Sequence, residues 1–256
     1  MPRFAANLSL LYAHLPFLER ISQAKADGFE AVECQFPYEV ISQASLGDII
    51  KQLQVHHLPM VLHNLPAGNW LAGDRGLACD PRRIEEFQAG IPQAIAHAKA
   101  LGVTRLNCLA GLLPSGVSQQ DAQATFVANL TLAAEELAKE KIKLMIEPIN
   151  TYDMPGFFLS SSQHAIETIM SVPSQNLYLQ YDAYHAHRMG EDILEIEELM
   201  PFIEHIQIAD HPGRHEPGTG EIPYADFLML LDDLGYEGWI GCEYKELYRA
   251  NFQRQT

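Results

Sequence analysis

Short β-branched and apolar runs alternate along the chain with longer stretches in which apolar residues recur every three or four positions, the two periodicities of strands and helices. The pattern predicts strands at Phe4 to Leu8, Ala31 to Cys34, Met60 to His63, Leu106 to Leu109, Leu144 to Glu147, Leu177 to Tyr181, Ile203 to Ile208 and Trp239 to Cys242. Between them it predicts helices at Phe17 to Ala26, Leu46 to Val55, Gln119 to Lys139, Ser162 to Met170, Ile193 to Leu199 and Tyr224 to Leu234, and another that starts near Pro81 and runs to Leu101-Gly102. Asp27-Gly28 ends the first helix, Ser118 caps the one after strand four, and Pro148 stops strand five. Eight strands joined by crossover helices share 256 residues, 32 to a unit, close to one βα repeat. This α/β alternation calls for a parallel sheet, and eight units call for a single-domain (β/α)8 TIM barrel spanning 1–256. The tail from about residue 246 is short for a last helix, so the barrel closes imperfectly there or leans on a neighbouring subunit in a homo-oligomer.

Charge narrows the range of partners. The chain has 33 acidic and 17 basic side chains, a net −16. Nucleic-acid backbones and anionic membrane surfaces are therefore excluded as default partners, since both need clustered Lys and Arg. No stretch reaches the roughly 18 apolar residues of a membrane span. Cys34, Cys79, Cys108 and Cys242 form no C-x-x-C pair, and the N-terminus has no signal-peptide pattern, so the expectation is reduced thiols in a cytoplasmic protein. The chain contains no Ser-His-Asp arrangement, P-loop, zinc motif or dinucleotide fingerprint; Gly218 and Gly220 read as a turn. No nucleotide cofactor is expected.

The candidate chemistry lies at the C-terminal ends of the late strands. Glu147, Asp182, Gln207 and Glu243 are separated by 35, 25 and 36 residues, about one βα unit each. In a barrel these four oxygens would ring one mouth, where barrel enzymes carry out their chemistry. Three carboxylates and an amide oxygen form a hard donor set suited to a divalent cation, Mg²⁺ or Mn²⁺. The bland alternative is that each acid caps the next helix. Glu147 and Glu243 on opposite sides of a small α-hydroxycarbonyl could move a proton between adjacent carbons. His185, one helical turn after Asp182, is a candidate donor to a substrate oxygen or else a structural histidine. Arg214, with His215 as its alternative, could neutralise a substrate carboxylate. Asn7, His63, Asn64 and Asn107 are candidates for hydroxyl contacts, with capping as the other account. Trp70 lies in a long loop that is either a lid or a segment packed on the rim. Lys245 reads as a solvated lysine.

The segments RFAANLS, HNLPAGNW, IEPIN, QYDAYH, HIQIAD, R-x-EPGTGEI and WIGCEYK together resemble the hydroxypyruvate isomerase family, within the xylose-isomerase-like barrel superfamily. The resemblance covers nearly the whole chain. It implies interconversion of hydroxypyruvate and tartronate semialdehyde (2-hydroxy-3-oxopropanoate). It also implies Glu147 and Glu243 as the acid/base pair, Glu147, Asp182, Gln207 and Glu243 as metal ligands, and His185 and Arg214 near the substrate. The ending departs from the family, whose members continue past Glu-Tyr-Lys with a longer helix. Related members act on 2-oxo-tetronates or epimerise ketoses at C3, so those activities stand beside the first. A non-catalytic protein that binds small acids is the alternative of another class. A repair nuclease would need several metal-binding histidines and a basic groove, where this chain has a glutamine on strand seven and a net −16.

Overall fold

A computed structural model gives the fold over residues 2–247. Eight strands appear: β1 (Arg3–Asn7), β2 (Ala31–Glu33), β3 (His63–Asn64), β4 (Arg105–Cys108), β5 (Lys143–Ile146), β6 (Leu177–Asp182), β7 (Ile203–Ile208) and β8 (Trp239–Cys242). The helices are α1 (Phe17–Ala26), α2 (Glu39–Ser42), α3 (Leu46–His56), α4 (Ile84–Leu101), α5 (Gln119–Lys139), α6 (Ser162–Ser171), α7 (Ala183–Arg188) and α8 (Tyr224–Asp233), with 3₁₀ turns at Trp70–Ala72 and Ile193–Leu199.

The helix ends follow their local chemistry. Ser45, Ser118 and Ser161 accept the backbone N–H three residues on, at the starts of α3, α5 and α6. Gly28 and Gly102 take positive φ just after α1 and α4, a conformation that costs a side chain more than it costs glycine. On α1 the buried residues are Phe17, Ile21 and Ala24, one stripe at helical spacing. Three expectations change. Strand three is only His63–Asn64, with Met60 forming an isolated parallel bridge to Val32. Pro81 lies in a turn, and α4 begins at Ile84. The 193–199 segment is 3₁₀, kinked at Glu195, instead of α-helical.

The chain forms two compact units. The first comprises residues 2–61, 182–200 and 205–247; the second comprises 62–181 and 201–204. In the first unit the strand order is β2-β1-β8-β7, and in the second it is β6-β5-β4-β3. Every pairing described is parallel. In the first unit Gln207 is level with Gly241, Gly241 with Ala5, and Ala5 with Ala31. Two residues on, Asn7 is level with Glu33, and Glu243 follows directly after β8. Side chains two apart on a strand share a face, so one face carries these small and polar residues. The intervening Ala6, Val32, Ile206, Ile208, Ile240 and Cys242 point the other way and are all buried. Glu246 and Leu247 are tied in by hydrogen bonds, from Tyr12 N to Glu246 Oε2 and from Leu247 N to the Glu216 carboxylate. The remainder of the expected tail, 248–256, lies outside the described residues. All four cysteines are buried and unpaired with one another, and no helix among the described residues is long and apolar enough to cross a membrane.

Candidate active site

The first unit carries a buried polar cluster on the face just described. Glu33, wholly buried, is its hub. Its carboxylate accepts from Asn7 Nδ2 (2.9 Å), Gln207 Nε2 (2.6 Å) and His205 Nε2 (2.7 Å). Gly241 makes this possible, because a Cβ there would lie 2.4 Å from Glu33 Oε1. Asn7 Nδ2 also donates to Glu243 Oε1 (3.1 Å), which accepts from Gln35 Nε2 as well (3.1 Å). One asparagine thus links the two carboxylates, and Gln207 has its amide nitrogen committed to Glu33.

Above this layer stand Asp182, His185, Arg214 and Glu243. Asp182 ends β6 and caps α7, its Oδ1 accepting from Tyr184 N (2.8 Å) and His185 N (3.3 Å). The short helix α7 turns His185 back so that its Nε2 lies 3.6 Å from Asp182 Oδ2, close but beyond a hydrogen bond. One donor atom each of Asp182, His185 and Glu243 fall within 4.8 Å of one another. Arg214 projects from the loop after β7, with its backbone in the left-handed region (φ 54°), a strained conformation of the kind that clusters at functional sites. Its Nη2 donates to Glu243 Oε2 (2.5 Å) and lies 3.7 Å from Asp182 Oδ2. The guanidinium also stacks over the Tyr184 ring at 5.1 Å. The residue expected to meet a substrate carboxylate therefore sits on the protein's own acids.

Burial decides the protonation states. It pushes Glu243 up to about 7, and the nearby Asp182 and Glu33 charges add to that, while Arg214 and the Gln35 hydrogen bond pull it down. Burial likewise raises Asp182, against the pull of Arg214 and two backbone N–H groups. His185 is held well below its ordinary value by burial first, then by Arg214 and Arg188, so it is neutral at pH 7.

The second unit holds the remaining candidates. Glu147 follows β5 directly, is buried, and accepts from Asn107 Nδ2 at 2.8 Å. His63 and Asn64 form β3 and are buried; His63 Nδ1 donates to the Asn64 carbonyl (2.9 Å). Burial lowers the His63 pKa to about 4, so the ring is neutral, with Nε2 as its acceptor nitrogen. Trp70 is partly exposed in a loop that is ordered from within: Arg75 stacks on it at 4.4 Å, and Asp74 ties Asn69 N to Arg83. Lys245 is exposed, as expected.

Glu33, His205 and Gln35 escaped the reading of strand ends. The signal was present in part, since β7 reads H-x-Q and places two polar residues on one face between buried isoleucines. Nothing local marks Glu33, one residue from the end of an otherwise apolar run.

The sequence model of the xylose isomerase-like TIM barrel family matches residues 19–254. The chain belongs to that family. Its fold is accordingly the (β/α)8 barrel expected from the sequence. Hydroxypyruvate isomerase of Escherichia coli (strain K12) is 46% identical over 246 residues, covering 96% of this chain and 94% of that one. A 2-oxo-tetronate isomerase of Cupriavidus necator is 41% identical, covering 96% and 93%. A crystal structure titled AP endonuclease, family 2, from Brucella melitensis superposes with a TM-score of 0.92 at 39% identity, over 96% of this chain and 94% of that one.

Proposed function

We propose that this member of the family is an isomerase that interconverts hydroxypyruvate and tartronate semialdehyde by proton transfer between adjacent carbons. The supporting observation is Glu243: a buried carboxyl with its pKa brought to about 7, anchored by Asn7, Gln35 and Arg214. In the chain without a bound cation, a carboxyl titrating near the working pH is available both as base and as acid. Glu147, buried after β5 and oriented by Asn107, is the second carboxyl of the pair. One of them removes the proton from C3 of hydroxypyruvate, giving an enediolate. The other returns a proton to C2, and the hydroxyl hydrogen passes from O3 to O2, so atoms balance without a redox cofactor.

Neutral His185 donates to a substrate oxygen, and Arg214 holds the substrate carboxylate. Asn7 fixes Glu243, and His63 Nε2 accepts from a substrate hydroxyl. The donor chemistry fits a hard divalent cation, Mg²⁺ or Mn²⁺, held by Glu147, Asp182, Gln207 and Glu243. Asp182 Oδ2 is a buried carboxylate oxygen with no hydrogen-bond partner among the described residues, and the amide nitrogen of Gln207 is already engaged. Such a cation, when bound, stabilises the negative charge that develops on the substrate oxygens.

Exchange of the carbon-bound hydrogen into D₂O, followed by NMR, tests the reading. The parent exchanges and turns over, whereas Glu147→Gln and Glu243→Gln each abolish both while remaining folded; near-normal turnover in either variant refutes the two-carboxylate mechanism. A protein that only binds small acids would show binding without exchange. The second enzyme reading, a 2-oxo-tetronate isomerase, is supported by the 41% identical relative of that name. A substrate panel run with and without chelator separates the two: much faster turnover of four-carbon acids favours the second. The nuclease title of the 39% identical structure does not carry over, because a net −16 chain opposes a phosphate backbone.

A further inference from the structure

A second constellation of metal-ligating side chains lies in the first unit, apart from the proposed machinery. His187 comes from the last turn of α7, and His211 and Glu221 flank the loop between β7 and α8. One donor atom of each lies within 4.8 Å of the other two. His211 Nδ1 donates to Glu221 Oε1 at 2.6 Å, His187 Nε2 lies 3.7 Å from the same oxygen, and the two imidazole centroids are 5.5 Å apart. All three remain accessible, Glu221 most of all.

We propose that His187, His211 and Glu221 form a binding site for a borderline divalent transition ion, zinc by preference, with a solvent molecule as fourth ligand. Two imidazoles and one carboxylate on an open position suit zinc over magnesium or calcium, which favour all-oxygen sets. The distances fit with little adjustment. Bonds of 2.0–2.1 Å in a tetrahedron put neighbouring donors about 3.3 Å apart. The His211–Glu221 pair, now at 2.6 Å, must open by about 0.7 Å, and the His187–Glu221 pair, now at 3.7 Å, must close by about 0.4 Å.

The scaffold beneath is already rigid. The Asp210 carboxylate accepts from the backbone N–H of His211, Gly218, Gly220 and Ile222. Glu221 N donates to His211 O (2.9 Å), an approach that leaves no room for a Cβ on Gly220. Donors held by a fixed backbone lose little entropy on metal binding. The ion staples α7 to the loop that also carries Arg214. The site does not depend on the isomerase reading, because it uses none of the residues assigned to that reaction.

Titration of the full chain with zinc chloride alone, by calorimetry, with zinc X-ray absorption on the complex, tests the proposal. A bound zinc with two imidazole nitrogens is expected. His187→Ala should weaken the two-imidazole binding at least about tenfold, as loss of a ligand exceeds the loss of an outer partner, whereas Glu243→Gln, which alters only the site proposed for the catalytic cation, should keep the two-imidazole zinc and its affinity. At zinc 100 times the dissociation constant, the parent should gain roughly 5–10 °C in Tm that His187→Ala does not gain. His187 lies on a partly exposed helix turn, so this variant stays folded even if changes at His211 disturb the loop. Absence of imidazole-coordinated zinc in the parent, or equal affinity in His187→Ala, overturns the site.

Discussion

Replacing Glu33 by Ala probes the polar layer on which the proposed site rests. The carboxylate is wholly buried and accepts from Asn7, Gln207 and His205 at 2.6–2.9 Å. Asn7 keeps Glu243 as a second acceptor, so the cost falls on the other two donors. A buried polar group that loses its partner costs about 1–3 kcal/mol, so two cost about 2–6 kcal/mol. For a chain of this size that lowers Tm by at least about 4 °C. Glu33→Gln is the control: its amide oxygen still accepts from Asn7 and Gln207, and its nitrogen can donate to His205 once the imidazole changes tautomer. Urea unfolding followed by circular dichroism should rank parent, Glu33→Gln and Glu33→Ala in that order. Removing Glu33 also removes one of the charges that push Glu243 upward, so the acidic limb of the pH–rate profile should move to lower pH. Stability of Glu33→Ala within about 1 kcal/mol of the parent would refute the account of the layer.

Gly241→Ala places a methyl 2.4 Å from the pinned Glu33 carboxylate and should cost about 1–3 kcal/mol of overpacking, read from the urea midpoint. With chelator present, Glu243 should make stability fall as pH rises. Its folded pKa of about 7 lies above the ordinary 4.5, so its contribution is complete below pH 4.5 and is lost on passing through 7. Glu243→Gln should flatten that slope, and parent and variant curves of equal slope between pH 5 and 8 would contradict it. Arg214→Ala removes the cation that lowers Glu243, so the pH at which activity rises should move upward while folding persists, as measured by pH–rate profiles and near-UV dichroism.

Local pattern was enough for most elements. α1, α5, β7 and β8 lie where periodicity and caps put them, because Ser118, Gly28 and the apolar stripes act within a few residues of themselves. Strand ends also marked Glu147, Asp182, Gln207 and Glu243, since an acid or amide directly after an apolar run is visible without any partner. What α7 does was legible in its local part: Asp182 and His185 are one turn apart in sequence, and Asp182 caps that turn, as the capping reading of the strand-end acids has it.

Three features were decided by tertiary structure alone. Glu33 looks like an interruption of a short strand until β1, β7 and β8 bring Asn7, Gln207, His205 and the gap at Gly241 to it. Arg214 gives no sign in the sequence that it also pairs with Glu243, a contact made only when the loop after β7 sets the two together. Glu243 is marked by its strand end, but the burial that carries its pKa to about 7 is not visible there. The physical reason is common to all three. Propensity and capping are short-range and are written in neighbouring residues, whereas hydrogen-bond partners, space for a side chain and loss of solvent come from residues as far as 236 positions away.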